Sequence, residues 1–508
     1  MKKAILIRAL VLLLAALMIL PAVVACEPAE EGPGEQQTQS TTTADGGGAV
    51  VTTTVQKDEY GRPVVPDDLP ESMNLDRVFT VHTRGGGGTE AYEWLSDGTA
   101  GDNITTAVYK RNTAVEDRLG IEIKPLVEGT YANYDETLTR MRANITSNAQ
   151  AYDLIAGFSR PISTLVTTGL LHDLNNIEYL NFEKPWWNKN ILETMSIADK
   201  AFFANGALST SMLWSMYVIV FNRDLLTVAT AASGKDVYDL VATQKWTVAE
   251  MIELGSKVYN DANGDGQQDN GDTFGITFKD SDNTKGAYLT AFGVQTVTRD
   301  VDGNPMIDLD VQQTQKVITA ITDLMYNTEY ACQNTNENTR PAFWDGNVLF
   351  QNTWVYYVTD EIGVMMSNYG LLPMPKLDEA QANYRTGVQD GMHMYCIPID
   401  VADPSQNGLI TEAFAAESYR SLLPVYFEVV MKTEYSQDQK DSQMIDIIYD
   451  NIVFDMGVTY VDTLKVFSIL KSVIGPNASK FSSSYNKGLT TYRKNLNQLI
   501  TDVKAKYP

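Results

Sequence analysis

Arg77-Val78-Phe79-Thr80-Val81-His82, then Ala107 to Leu119, Ile121-Glu122-Ile123, Tyr134 to Ile145 and Asp153-Leu154-Ile155-Ala156 follow one another along the chain. The first, third and fifth pieces are short apolar runs and predict strands, the first leading into the loop Gly85-Gly86-Gly87-Gly88. The second and fourth carry apolar residues at helical spacing, and Gly120 stops the second. Strand–helix–strand–helix alternation is the pattern of a parallel α/β sheet.

Outward from that stretch the alternation continues. Tyr217 to Phe221 predicts a strand, followed by Asn222-Arg223-Asp224. Thr247-Val248-Ala249-Glu250 has the form of a capping box: Thr bonds a free helix amide and Glu reaches back. The helix it opens places Val248, Met251, Ile252, Val258 and Tyr259 on one face. Thr273 to Phe278 predicts a strand, and Val311 to Tyr326, Ala413 to Tyr419 and Ser442 to Ile448 predict helices. Residues 75–508 are too long a stretch for one core, which predicts two lobes. We place the first at about 75–208 and 402–450, and the second at about 209–401 and 451–508.

The start of the chain predicts its compartment. Lys2, Lys3 and Arg8 precede an apolar run from Ala9 to Ala25, short for a stable membrane span. The run ends in Val23-Val24-Ala25-Cys26, the pattern of a bacterial lipoprotein signal peptide over residues 1–25. Cys26 is then the lipidated first residue of the mature protein; the competing reading is a transmembrane anchor with an incidental cysteine. Residues 26–74 are rich in Glu, Gln, Thr, Gly and Pro, with Thr41-Thr42-Thr43 and Gly46-Gly47-Gly48 as low-complexity patches. Their composition offers too little apolar surface for a core and predicts a disordered tether.

Net charge is −25, which argues against nucleic acid or anionic lipid as a partner. Beyond Cys26 only Cys332 and Cys396 remain. They could pair or stay as two buried thiols, and no disulfide framework is present.

A set of landmarks in fixed order then resembles the extracellular solute-binding proteins, family 1, the sugar-type substrate-binding lipoproteins of ABC importers. Asp153-Leu154-Ile155 followed by Gly169-Leu170-Leu171-His172-Asp173-Leu174 resembles that family's strand and following turn. Phe221-Asn222-Arg223-Asp224-Leu225-Leu226, Lys245-Trp246-Thr247, Phe343 to Phe350 and Tyr369-Gly370-Leu371-Leu372-Pro373-Met374-Pro375-Lys376 resemble its later elements. Pro185-Trp186-Trp187-Asn188 and Met444 to Ile448 suggest a larger branch. The resemblance implies an α/β, two-lobed, periplasmic-binding-protein-like fold, each lobe a mixed sheet flanked by helices, with the ligand cleft between lobes. It also implies a monomer on the extracellular face of the bacterial cell membrane, held by its lipid alone, that closes on a small solute and presents it to an ABC permease. An oligosaccharide is the expected ligand.

A sugar cleft needs aromatic faces for C–H stacking and polar side chains for hydroxyls. Loops after strands are where α/β sheets place such groups. Candidates are Phe158, Ser159 and Arg160 after Ile155, Trp214 and Ser215 before Tyr217, and Asn352, Trp354 and Tyr356 after Phe350. Gln389, Asp390 and His393 precede an expected crossing strand, Cys396 to Ile399, and Trp94 follows the first strand. For Trp214 and Trp354 the resemblance implies positions that face the cleft; each tryptophan also has the plainer reading of core packing.

Asp261-Ala262-Asn263-Gly264-Asp265-Gly266-Gln267-Gln268-Asp269-Asn270-Gly271-Asp272 matches a calcium-binding EF-hand loop. Ligand oxygens come from Asp261, Asn263, Asp265, Asp269 and Asp272, with the Gln267 carbonyl. Asp272 replaces the usual Glu, and a strand rather than a helix is expected to leave the loop, so the ion expected is structural Ca2+. The alternative is an acidic turn without metal.

A secreted glycoside hydrolase is the main alternative function, since it too would have aromatics and paired carboxylates. No Gly-x-Ser-x-Gly elbow is present. His82, His172 and His393 are the only histidines, and none forms a His-Glu-x-x-His motif. A purely adhesive surface protein would leave the ordered landmarks unexplained. We therefore expect binding without catalysis.

Overall fold

Eleven strands are formed among the described residues: β1 Arg77–Thr83, β2 Ile121–Val127, β3 Leu154–Phe158, β4 Tyr217–Asn222, β5 Phe274–Lys279, β6 Thr298–Arg299, β7 Pro305–Met306, β8 Ala331–Asn334, β9 Val348–Trp354, β10 Tyr369–Leu372 and β11 His393–Cys396. A computed structural model describes residues 56–58, 62–85, 93–99, 101–266, 268, 271–334, 343–361, 368–434 and 439–508. Cys26 and the expected signal peptide lie outside them.

The first sheet runs β11-β3-β1-β2. β1 is parallel to both β2 and β3, while β11 is antiparallel to β3, with His393 opposite Phe158. Every residue of β3 is buried, as expected of a strand covered on both faces. The second sheet runs β10-β4-β9-β5-β8. β5 lies parallel to β8 and β9, and β4 is antiparallel to β9 and β10. A small hairpin, β6–β7, stands apart. Two mixed sheets flanked by helices are thus the architecture.

Local chemistry explains the element ends. The helix Asn103–Leu119 begins where the Asp102 carboxylate accepts from the Thr105 amide, and it ends at Gly120 with φ of 62°, a left-handed conformation suited to glycine. Thr247 caps the helix Val248–Ser256 by accepting from the Glu250 amide. The Glu250 carboxylate, however, bonds the Lys235 ammonium at 2.7 Å. The predicted helix from Val311 runs regularly to Thr322 and then widens over Asp323–Asn327.

Three placements differ from the sequence reading. Strand β11 is His393–Cys396 and not Cys396 to Ile399, because its register is set by pairing with β3. The helix Gln439–Asp450, assigned to the first lobe from sequence, packs on β10 of the second sheet. Its buried Asp441 carboxylate bonds the Arg223 guanidinium and, at 2.7 Å, the Tyr238 hydroxyl. Residues 62–74, given to the tether by composition, lie against the body. Arg62 donates to the Tyr419 carbonyl at 2.7 Å, and Asp67 pairs with Arg118 and Arg420 at 2.7 and 2.9 Å. Burial opposes ionisation of Asp67, but the two guanidiniums outweigh it and hold its carboxyl well below the usual range.

Two segments join the sheets side by side. Ala204 bridges Tyr395, Met216 bridges Val388, and the Gln389 amide donates to the Ser215 carbonyl at 2.9 Å. Cys332 and Cys396 are free buried thiols in different sheets, β8 and β11.

Candidate functional site

In open α/β sheets, ligand sites form beyond the carboxyl ends of parallel strands. Here the carboxyl ends of β3 and β5 both lead to one cavity of about 200 Å3. Ser159 and Arg160, directly after β3, and Gln389, Asp390 and Met392, ahead of β11, line its first-sheet side. Opposite them stand Tyr217 at the start of β4 and the helix Asp282–Ala291 that follows β5. That helix turns Asp282, Asn283, Gly286 and Thr290 to the cavity, a spacing that puts them along one face. A side chain on Gly286 would meet the Phe467 ring at 3.3 Å, so glycine lets the helix Val466–Val473 approach. Phe454, Asp455, Thr459, Phe467 and Lys471 complete the wall.

The charged groups are arranged in pairs. Arg160 grips Asp462 with Nε and Nη2 at 2.6 and 2.9 Å, while its Nη1 lies 3.8 Å from Asp390 Oδ2. Lys471 sits 3.2 Å from Asp282. Burial raises the Asp390 carboxyl above its ordinary value, with Arg160 and Lys471 opposing the shift. Burial also raises Asp455, whose oxygens accept from the Thr296 amide at 2.6 Å and the Gly457 amide at 2.8 Å. The Ser159 hydroxyl donates to the Asp390 carbonyl at 3.1 Å, tying the two first-sheet loops together.

Of the residues proposed from sequence, Ser159, Arg160, Gln389 and Asp390 come together on this cavity. The others lie elsewhere. Trp94 is fully buried in the first-sheet core, 5.1 Å from the Phe414 ring with Arg111 over its face. Phe158 packs edge-on against Tyr134 at 4.8 Å and under Arg84 at 4.2 Å. Asn352 is buried in β9, its amide 3.1 Å from the Met374 sulfur. Trp214 is buried against Tyr356 at 5.4 Å, and half-buried Trp354 stands edge-on to Tyr217 at 6.1 Å. None of these three aromatics is among the lining residues, and Trp354 alone is seen against the lining ring of Tyr217. Ser215 is buried in the crossing ladder.

His393 is fully buried and serves a different network. Arg84 Nε donates to its Nε2 at 2.9 Å, so Nε2 carries no proton and Nδ1–H donates to the Glu93 carboxylate. Glu93 also accepts from the Ser211 hydroxyl at 2.8 Å, and the Asn205 amide donates to the His393 carbonyl at 2.7 Å. Although burial works against it, the His393 ring and Ser211 hold the Glu93 carboxyl below its ordinary value.

The sequence reading missed Tyr217, Asp282, Asn283, Gly286, Thr290 and the residues from Phe454 onward. The strand-end rule applied to β5 points to the Asp282 helix. Nothing local marks Phe467 or Lys471, which arrive from a distant part of the chain.

In the expected calcium loop, Asp261 accepts from the Gly264 and Gly266 amides at 2.7 and 2.8 Å, and Asn263 from the Asp265 amide at 2.9 Å. Gly264 and Gly266 have φ of 72° and 73°, so the chain curls as glycine allows. Asp272 is buried and accepts from the Ala262 amide at 3.1 Å. Gln267 and Asp269 lie outside the described residues. Among the described ones, no group of three or more His, Cys, Asp or Glu side chains could hold a metal ion.

Among the described residues no helix is long and apolar enough to cross a membrane. No family model matches the chain, and no curated protein matches it in sequence. Solved structures match it in fold. A sugar transporter from Rhizobium etli in an open conformation superposes with a TM-score of 0.54 at 13% identity, over 84% of this chain and 99% of that one. A cyclo/maltodextrin-binding protein complexed with maltotetraose gives 0.52 at 15% identity, over 84% and 97%. The maltose-binding periplasmic protein of Listeria monocytogenes, in complex with maltose, gives 0.50 at 12%, over 85% and 97%. With its two mixed sheets and their flanking helices, this chain has the two-lobed, periplasmic-binding-protein-like fold.

Proposed function

We propose that this protein is an extracellular, lipid-anchored solute-binding protein that captures a sugar between its sheets and presents it to an ABC importer, without catalysis. The observation that carries the reading is the cavity at the carboxyl ends of β3 and β5, walled by both sheets and flanked by the two crossing segments. Its lining mixes aromatic faces, Tyr217, Phe454 and Phe467, with hydrogen-bonding side chains, the combination a sugar requires. The structures that share the fold were described with maltose and maltotetraose, which supports the same ligand class here. Closure of the lobes would give the permease a shape that differs between loaded and empty protein.

A thermal-shift screen of the purified protein against mono- and oligosaccharides tests this. A true ligand at a hundredfold excess over its Kd adds about 2.7 kcal/mol and raises the melting temperature, with the sugar recovered intact. Release of a cleaved product would instead support the glycoside hydrolase. In the same reading the Asp261–Asp272 loop holds a structural calcium ion, supported by the acidic spacing and the glycine turns. Chelator should then lower the melting temperature of the wild type and leave Asp261→Ala unmoved; equal behaviour of the two would remove the ion from the account. Cys26 carries the lipid, so Cys26→Ser should move the protein from the membrane fraction to the soluble one. A variant that stays with the membrane argues for a spanning segment instead.

A further inference from the structure

We propose that the cavity accepts a single sugar ring rather than an oligosaccharide, and that Asp390 Oδ1 is the acceptor that selects it through the ring's hydroxyls. The inference rests on the sugar reading above and narrows it.

Size comes first. A cavity of about 200 Å3 falls below the roughly 300–1,000 Å3 of pockets that enclose drug-sized ligands. A chain of rings needs a run of stacking faces as well as length. The wall has three aromatic rings, Tyr217, Phe454 and Phe467. Of the tryptophans that could extend such a platform, Trp214 is held against Tyr356 and Trp94 in the core, and Trp354, edge-on to Tyr217 and 4.3 Å from Tyr357, is not among the lining residues.

The polar groups single out Asp390. Asp455 already accepts from Thr296, Val297 and Gly457. Asp282 faces Lys471, and Asp462 holds Arg160 by two bonds. Asp390 Oδ1 is buried and has no hydrogen-bond partner. An unmatched buried acceptor carries a desolvation cost, and a donor brought by a ligand removes it. Arg160 stands beside the other oxygen, so the carboxylate stays oriented while Oδ1 remains for the ligand. Sugar hydroxyls are such donors, and one ring presents enough of them to occupy Oδ1 and Gln389 together.

Titration calorimetry of the purified protein tests this with D-glucose, D-galactose, D-xylose and myo-inositol beside maltose, maltotriose and maltotetraose. The expected result is a single ring binding at least tenfold more tightly than any oligosaccharide. Asp390→Ala, which removes the acceptor, should weaken that ligand at least tenfold while the unliganded variant melts no lower than wild type. A tri- or tetrasaccharide that binds more tightly than every single ring overturns the size claim and leaves the sugar reading standing. Unchanged affinity in Asp390→Ala overturns the acceptor role. Absence of binding by every sugar overturns the sugar reading itself, and the inference with it. Should Asp390→Ala fail to fold, the wild-type ranking of ring against chain decides.

Discussion

Glu93→Ala is expected to lower the unfolding free energy by about 1–3 kcal/mol, the range for leaving buried hydrogen-bonding groups without their partner. Glu93 and His393 are fully buried, and Arg84 is nearly so. The guanidinium fixes the imidazole tautomer, the imidazole N–H meets the carboxylate, and the carboxylate takes the Ser211 hydroxyl. Removing the carboxylate takes a buried acceptor away from the His393 ring N–H and the Ser211 hydroxyl. Because His393 and Ser211 belong to the two segments that join the sheets, the loss falls on the connection between lobes. Glu93→Gln keeps an acceptor for the ring and hydroxyl and should lose less. Urea unfolding of the three proteins measures this. A change below about 1 kcal/mol in the alanine variant would show that water or rearrangement replaces the carboxylate.

The second large effect is on pH dependence. Glu412, buried on the helix Pro404–Glu417, accepts from the indole N–H of Trp186 at 2.9 Å, of Trp187 at 2.8 Å and from the Asn181 amide at 3.1 Å. Burial nevertheless pushes its carboxyl up to about 7 from 4.5, the three donors offsetting only part of the cost. Between those two values the folded protein holds a proton that the unfolded chain has released. Stability from this group is therefore greatest below pH 4.5 and falls as pH rises to about 7, by about 3 kcal/mol in total. Other carboxylates, Asp67 among them, act in the opposite direction. The difference between wild type and Glu412→Gln isolates the term. Unfolding midpoints from pH 4.5 to 8 should show the wild type losing stability relative to the variant as pH rises. A flat difference would mean that Glu412 is ionised throughout.

The first sheet was legible because its information is local. β1, β2 and β3 are short apolar runs separated by amphipathic helices, and Gly120 ends the first of those helices through a bond to its near neighbour Glu116. Register was less legible. β11 lies three residues earlier than the apolar run suggests, because its position depends on a partner more than two hundred residues away. The helix Gln439–Asp450 was given to the wrong sheet for the same reason: Asp441 meets Arg223 across a long stretch of chain.

The cavity divides along the same line. Ser159, Arg160, Gln389 and Asp390 could be named because they flank strands, and strand ends are readable. Aromatic identity misled at Trp94, Trp214 and Trp354: a large ring fills a core and walls a cleft equally well, and only packing separates the two. By itself the sequence determined the alternating elements and the loops able to meet a ligand, while mixed sheets were implied only by the family resemblance. Tertiary structure alone decided which loops face one another, that Phe467 and Lys471 close the far wall, that His393 turns inward to Glu93, and which acceptor is left unmatched. Local bonding and hydrophobic period are written in neighbouring residues, whereas a cavity is the space left between segments that meet only after the chain has folded.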